Sequence, residues 1–445
     1  MCIDNKPEGC LHYDVVVVGG GIAGVMAAAA AAKSDARTLL VEASTFLGGV
    51  VTMGPLEALM TPEDTSGTVI AGMAEKFLCF LQTLDPGAAV VEDTIGYCKS
   101  IVPYDPEIMK YALWEFLYQH NVDVVTEAMV SSLTEENGTV SHLQVHTKQG
   151  PIQVWCKAVV DATGSGSAAR MAGNEIMVGN GQGVSQPVTT LCRISGVDIS
   201  LLKAYVADHP EDFRSFRGDL KFDAPRLHLW GFAGALKEGY EKGELELLRQ
   251  EIHVMQSSRE DEVILNYSRI NADVSDPMAL SACQRYGMRQ VLQLHSWFAR
   301  SIPAFRNSRI VQTGYVGIRE SGRGKGKYVL TREDILGGGS KETSIAMGAF
   351  PIDIHQNTEG MHFERVVAGY HIPMECLMAE RTENLFLAGR CISATFEANA
   401  SCRISMTCMS TGHAAGVMAA VRALDAERFS YQRIRELLLA QGAVL

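Results

Sequence analysis

Four valines, Val15-Val16-Val17-Val18, run directly into Gly19-Gly20-Gly21-Ile22-Ala23-Gly24, and no other feature limits the fold of this chain so strongly. Consecutive β-branched apolar residues have no polar face to offer water, so they read as a strand buried on both sides of a parallel sheet. Glycines at 19, 21 and 24 give the G-x-G-x-x-G turn from strand into helix. The first permits the tight turn, the second lets a pyrophosphate approach the backbone, and the third lets helix pack on strand. An alanine-rich run ending at Lys33 supplies the helix, whose N-terminus would face the phosphates. Thr38-Leu39-Leu40-Val41 reads as the second strand and ends in Glu42, an acid 18 residues after Gly24 and placed to accept ribose hydroxyls. Together these predict a dinucleotide site. A plain Gly/Ala packing turn would leave Glu42 unexplained.

The same stretch invites a misreading, because Val15 to Ala32 is 18 uncharged, mostly apolar residues, the length of a membrane span. Its central glycines and strand-like first half argue for buried core instead. Residues Met1 to Tyr13 hold Asp4, Glu8 and a single Lys6, so they lack the basic start of a signal peptide, and a cytoplasmic location is expected. The net charge of −12 argues against a nucleic-acid partner or an anionic membrane surface. Eleven cysteines, at 2, 10, 79, 98, 156, 192, 283, 376, 391, 402 and 408, form no C-x-x-C pair, so no metal site is suggested. Free thiols are the default.

Residues 55–103 mix short helical patterns with turns and look like an excursion from the sheet. Asp105-Pro106-Glu107 is a helix start, with Met109, Ala112, Leu113, Phe116 and Leu117 making one apolar face. Val122 to Val130 reads as a strand returning to the sheet, and Val140–Thr147 with Ile152–Trp155 as a small antiparallel flap. Lys157 to Gly164 is another buried strand, ending in Ala162-Thr163-Gly164. Residues 180–380 change character and form the expected second domain. Asn384-Leu385-Phe386-Leu387-Ala388-Gly389 restores the buried-strand signature, and a small-residue helix follows, roughly Ile404 to Leu424.

Three strand ends now stand together: G-x-G-x-x-G at 19–24, A-T-G at 162–164 and L-A-G at 387–389. The trio resembles the FAD-binding domain of the glutathione-reductase-like flavoproteins. Leu47-Gly48-Gly49 resembles the double glycine under the flavin pyrophosphate in that superfamily. G-I-R-E-S-G-R at 317–323, Y-V-L-T-R-E-D at 328–334, P-I-D-I-H at 351–355, I-P at 372–373 and the tail G-R-C-I-S-A-T-F-E-A-N-A-S-C-R-I-S-M-T-C-M at 389–409 extend the likeness. These segments resemble the FAD-dependent oxidoreductases related to the heterodisulfide reductase A subunit. The iron–sulfur cysteines of that subunit are absent, and Phe396 stands where members often have His.

The resemblance implies an α/β fold: a glutathione-reductase-like FAD-binding Rossmann domain (12–179 and 381–445, with C-terminal helices) and an inserted α+β substrate or cap domain (180–380). FAD would be held by Gly19, Gly21, Ile22, Ala23, Gly24, Glu42, Ala43, Gly48, Gly49, Val50, Thr52, Val130, Ala162, Thr163, Gly164, Gly389, Arg390, Met406, Thr407 and Cys408. The expected activity is hydride transfer between flavin N5 and a small polar or anionic organic substrate. An FAD-bearing electron-transfer subunit working with a partner protein is the alternative. A tRNA-modifying flavoprotein is a further one, opposed by the acidic charge. A homodimer and a redox partner both stay open.

Arg403, just before the small-residue helix, would add positive charge where a reduced flavin becomes negative; a surface arginine capping a loop is the other reading. Arg319, Glu320 and Arg323 form either a clamp for a substrate carboxylate or a structural ion pair between domains. His355, Tyr370 and His371 are acid/base candidates, each also readable as structural. Asp353 would orient His355 only if the strand bends, because alternation places both on the same side. Cys391, Cys402 and Cys408 read as small core packing rather than a redox disulfide. No second glycine-rich dinucleotide unit is visible, so the flavin is expected to react with substrate directly, or with a partner protein or loosely bound reductant.

Overall fold

The computed structural model describes residues 11–445 apart from 57, 66, 217, 219, 221–223, 247–248, 339–341, 357–360 and 367. Asp4, Lys6, Glu8, Cys2 and Cys10 of the charge and thiol readings lie outside the described residues.

Val15–Val18 form β1, with all four side chains buried. The glycine turn leads into α1 (Ile22–Lys33) and then β2 (Thr38–Val41), parallel to β1. Asp105 caps α2 (Pro106–Gln119) by accepting the Glu107 N–H, with Pro106 in the first turn. Next comes β3 (Asp123–Val125), parallel to β2. The single strand expected over Val122 to Val130 is broken. Glu127 turns the chain with φ 52°, and its N–H and that of Ala128 donate to Ser44 and Glu42 carbonyls at the end of β2.

The chain then starts β4 (Met129–Glu136), which pairs antiparallel with β5 (Thr139–Thr147), itself paired with β6 (Gly150–Trp155). The flap is thus larger than expected, with Leu11–His12 added at its edge. After it, β7 (Ala158–Asp161) runs parallel to β1.

A second sheet contains β8 (Cys192–Ser195), β9 (His228–Gly231), β10 (Ile252–Gln256), β11 (Glu262–Asn266) and β12 (Arg309–Thr313). Its order is β9-β10-β11-β8-β12, antiparallel throughout. Ile194, Phe232, Val254, Leu265 and, with them, Phe298 of α3 (Pro277–Ser301) build a separate core. Every side chain of β10 is buried. Ile252 and Val254 enter this core, and strand alternation turns His253 to the opposite face.

Residues 180–380 do not share that core throughout, which corrects the single inserted block expected there. Ile335, Ile345, Ile352, Tyr370, Cys376 and Leu377 pack instead into the core of the parallel sheet. The short strand β13 (Ile352–His355) belongs to this returning segment. Among the described residues of that interval no second parallel sheet occurs.

β14 (Leu385–Leu387) completes the parallel sheet, ordered β14-β7-β1-β2-β3. Among the helices that follow are α4 (Phe396–Cys402) and α5 (Ser405–Leu424). α5 lies against α1 at backbone distance. A Cβ on Gly412 or Gly416 would come 2.2 or 2.1 Å from the carbonyl oxygens of Ala23 and Ala27. The alanine and glycine surface therefore buries two helices without room for larger side chains. Among the described residues no helix is long and apolar enough to cross a membrane.

Candidate active site

The carboxyl ends of β1, β7 and β14 open on one cavity of about 570 Å³. This is where an open parallel sheet presents its ligand. Gly19, Gly21, Ile22 and Ala23 line it from the first turn, Glu42, Ala43 and Ser44 from the end of β2, and Gly48, Gly49 and Val50 from the next loop. Ala162, Thr163 and Gly164, then Gly389 and Arg390, come from the ends of β7 and β14. The far end is walled by His253 and Asn266 of the second sheet and by Arg319, Asp353, His355 and Arg403.

The first turn fits a pyrophosphate. A Cβ on Gly21 would meet no atom within 4 Å, so this position opens onto the groove, while one on Gly24 would lie 1.9 Å from the Gly19 carbonyl oxygen. Gly21 caps α1 without any side chain covering its amides. Glu42 accepts the Gly20 N–H at 2.6 Å with one oxygen and the Ser44 N–H at 2.7 Å with the other, so its carboxylate is held at the groove edge. Arg390 donates to the Gly164 carbonyl at 2.8 Å and also to that of Ile318, which ties the A-T-G and L-A-G ends together.

At the other end His355 Nε2 lies 3.1 Å from Asp353 Oδ2, and Nδ1 lies 3.4 Å from an Arg269 nitrogen. A carboxylate only accepts and a guanidinium only donates, so the ring is neutral with its proton on Nε2. Burial and the nearby Arg319 charge push His355 down to about 3, against the pull of Asp353. Burial pushes Asp353 up, but His355, Arg403 and Arg319 outweigh it and hold the carboxyl well below the usual range. Arg403 donates to the Asp353 backbone carbonyl at 3.1 Å and stands 3.7 Å from its Oδ2. Arg319 donates to the Pro187 carbonyl at 2.8 Å. Burial, Arg403 and Arg249 push it down to about 9. Arg319 and Arg403 thus both act on the Asp353 carboxylate, and Arg249 and Arg269 lie close enough to Arg319 to lower it as well.

Arg319, Arg403 and His355 meet at this cavity; Glu320, Tyr370 and His371 do not reach it. Glu320 pairs with Arg323 in a buried bridge and accepts the Gly179 N–H at 2.9 Å, so the acid holds Arg323 rather than Arg319. The Tyr370 hydroxyl is 2.8 Å from Ser401 in the core against α5, where burial raises it well above its ordinary value. His371 alternates to the other side and meets Ser344 at 2.9 Å. Among the expected FAD ligands, Gly24, Thr52, Val130, Met406 and Thr407 stand off the cavity wall. Gly24 is a packing glycine, the Thr52 hydroxyl bonds the Leu47 carbonyl at 2.6 Å, and Val130 is buried in the flap. Met406 and Thr407 face the core from α5.

Asp353 contacts His355 with no bend, since β13 keeps regular pairing from Ile352 through His355. Same-side neighbours two apart are close enough for the longer ring to reach back. Cys391, Cys402 and Cys408 are free and buried, and burial pushes Cys402 and Cys408 up to about 12. The sequence reading missed Tyr97, His253, Asn266, Tyr315 and Phe350, which also line the cavity. Tyr315 and Phe350 had a local signal, standing two residues before the G-I-R-E-S segment and directly before P-I-D-I-H.

A family profile described as FAD dependent oxidoreductase matches residues 14–438. Among solved structures the chain is similar to p-nitrophenol 4-monooxygenase from Pseudomonas putida DLL-E4, at 14% identity and a TM-score of 0.51, covering 98% of this chain and 85% of that one. It is also similar to a geranylgeranyl bacteriochlorophyll reductase-like protein from Thermoplasma acidophilum (15%, TM-score 0.47, covering 97% and 83%). A third is L-proline dehydrogenase from P. horikoshii (12%, TM-score 0.45, covering 99% and 100%). At such identities the likeness to the monooxygenase is one of fold.

Proposed function

Because this chain belongs to the family of FAD-dependent oxidoreductases, with FAD as its cofactor, we propose that it transfers a hydride between the flavin and a small anionic organic substrate. Bound FAD supplies the two-electron centre. The observation that carries the reading is the crowding of Arg319 and Arg403 around Asp353 on the cavity wall, two guanidinium groups beside one carboxylate among the described residues at that end.

Arg319 holds the substrate anion through its planar fork, and Arg403 adds charge from the segment before α5. Held this way, the reacting carbon is confined to one approach, which is where much of the rate of such a transfer originates. His355 takes up the accompanying proton at Nδ1, which gives up its 3.4 Å contact with Arg269 to do so. With the site empty, burial and Arg319 keep it neutral down to about pH 3. A bound anion offsets the arginine field, raises the affinity of His355 for a proton, and so brings it toward the range where a base works at neutral pH.

The segments that resemble the heterodisulfide reductase A group contribute Gly317, Ile318, Arg319, Gly389, Arg390, Arg403 and Cys408 to the cavity, as kinship with that group would have it. The described region 192–313, with its antiparallel sheet, serves on this reading as the cap over the substrate. Anaerobic mixing of the holoenzyme with a panel of organic acids, with no other protein present, tests the proposal. Bleaching of the flavin by an acid supports it; reduction by a partner protein and by no small molecule overturns it.

A further inference from the structure

The wall beside the polar cluster is apolar, with two rings on its surface and further rings packed behind them. Ala58, Met60, Tyr97 and Phe350 belong to one buried cluster and line the cavity, with Met53, Leu56 and Leu191 adding to the surface. Tyr97 sits at its centre. Its ring centroid lies 5.2 Å from Phe216, 5.6 Å from Trp230, 5.5 Å from Phe350 and 5.2 Å from Phe363. Such mutual edge and tilted contacts fix each ring, so the wall is formed before any ligand arrives.

Tyr97 also joins the two halves of the site. Its hydroxyl faces Asp353, and burial followed by that carboxylate raises it well above its ordinary value. A ligand whose anion meets Arg319 beside Asp353 therefore has an aromatic surface within one side chain of its charged group. Hydroxyl-rich substrates do not suit this wall, because their O–H groups would be buried against methionine and phenyl carbons without partners. Amine cations meet Arg319 and Arg403 at close range and are repelled.

We infer that the substrate class is a carboxylate bearing a compact aromatic or branched apolar body next to the charge. The inference rests on the anion reading proposed above. Benzoate, acetate, benzyl alcohol and benzylamine separate its parts, each titrated into the FAD-loaded enzyme by calorimetry with the visible flavin spectrum followed alongside. Benzoate is expected to bind at least tenfold more tightly than acetate and than either uncharged or cationic relative. Met60→Gln should weaken benzoate at least threefold and leave acetate unchanged. Should that variant fail to fold, the four-ligand ranking on the wild-type enzyme decides alone. Benzoate no tighter than acetate, or no binding by any of the four, would overturn the inference and leave the anion reading to the bleaching panel. Benzyl alcohol or benzylamine equal to benzoate would overturn the anion reading as well.

Discussion

His355 donates its Nε2–H to Asp353 Oδ2 in a hydrogen bond of 3.1 Å, although the two residues stand two apart in one short strand. The bond fixes the ring's tautomer and directs its other nitrogen to Arg269. An imidazole so fixed is a positioned proton carrier rather than a packing residue. His355→Gln is expected to slow flavin reduction by a bleaching substrate by roughly 10²–10⁴-fold. FAD content should stay the same. Asp353→Asn should shift the pH dependence of that rate as well as lower it, which a purely structural carboxylate would not do.

Gly21 and Gly24 belong to one motif but should fail differently. Gly21 has φ −62°, which any residue adopts, and open space where a side chain would project. Gly21→Val should fold and melt near the wild-type temperature yet purify without flavin. Gly24→Val places carbon on the Gly19 carbonyl and should lose folded protein altogether. Flavin-to-protein absorbance ratios and thermal melts read the two outcomes.

The paired arginines of the 317–323 segment also separate. Arg323 is buried against Glu320, so Arg323→Met leaves a buried carboxylate without its cation. The expected loss is roughly 3–5 kcal/mol in denaturant unfolding. Arg319 contacts a carbonyl rather than an acid, and Arg319→Lys should unfold close to wild type.

Acid should destabilise the protein through its buried histidines. His355 is depressed to about 3 when folded, whereas its unfolded form takes up a proton near the ordinary 6.5. Between those values the unfolded chain binds more protons, so stability is full above about pH 6.5 and falls as pH drops toward 3. His413, held down to about 4 by burial, acts in the same direction. His355→Gln should therefore flatten, without abolishing, the slope of unfolding free energy between pH 6.5 and 4.

Local pattern made the nucleotide half of this molecule readable. The β1 valines, the glycine turn and Glu42 are near neighbours in the chain, so spacing alone specifies their geometry. The substrate half was read only where a motif ran through it, at Arg319, His355 and Arg403. Tyr97 and His253 come from separate stretches that meet only in the folded chain, and nothing adjacent to them announces the meeting; Phe350 adjoins a motif, but its ring meets Tyr97 from far away in the sequence. Tyr370 and His371 illustrate the converse. They sit on a strand near the site in sequence terms, but that strand turns the Tyr370 side chain into the core toward Ser401 of α4 and His371 toward Ser344, away from the cavity. The return of the described residues Leu330, Ile345, Ile352 and Ala379 to the first core was equally hidden, because short apolar strands look alike whichever core they join.

Rapid anaerobic mixing of the wild-type and Arg319→Lys enzymes with a bleaching acid tests the central claim most directly. The account predicts equal FAD content, a reduction rate that saturates with acid concentration in the wild type, and at least tenfold weaker half-saturation in the variant, since lysine lacks the bidentate fork. Identical saturation curves for the two enzymes would contradict it.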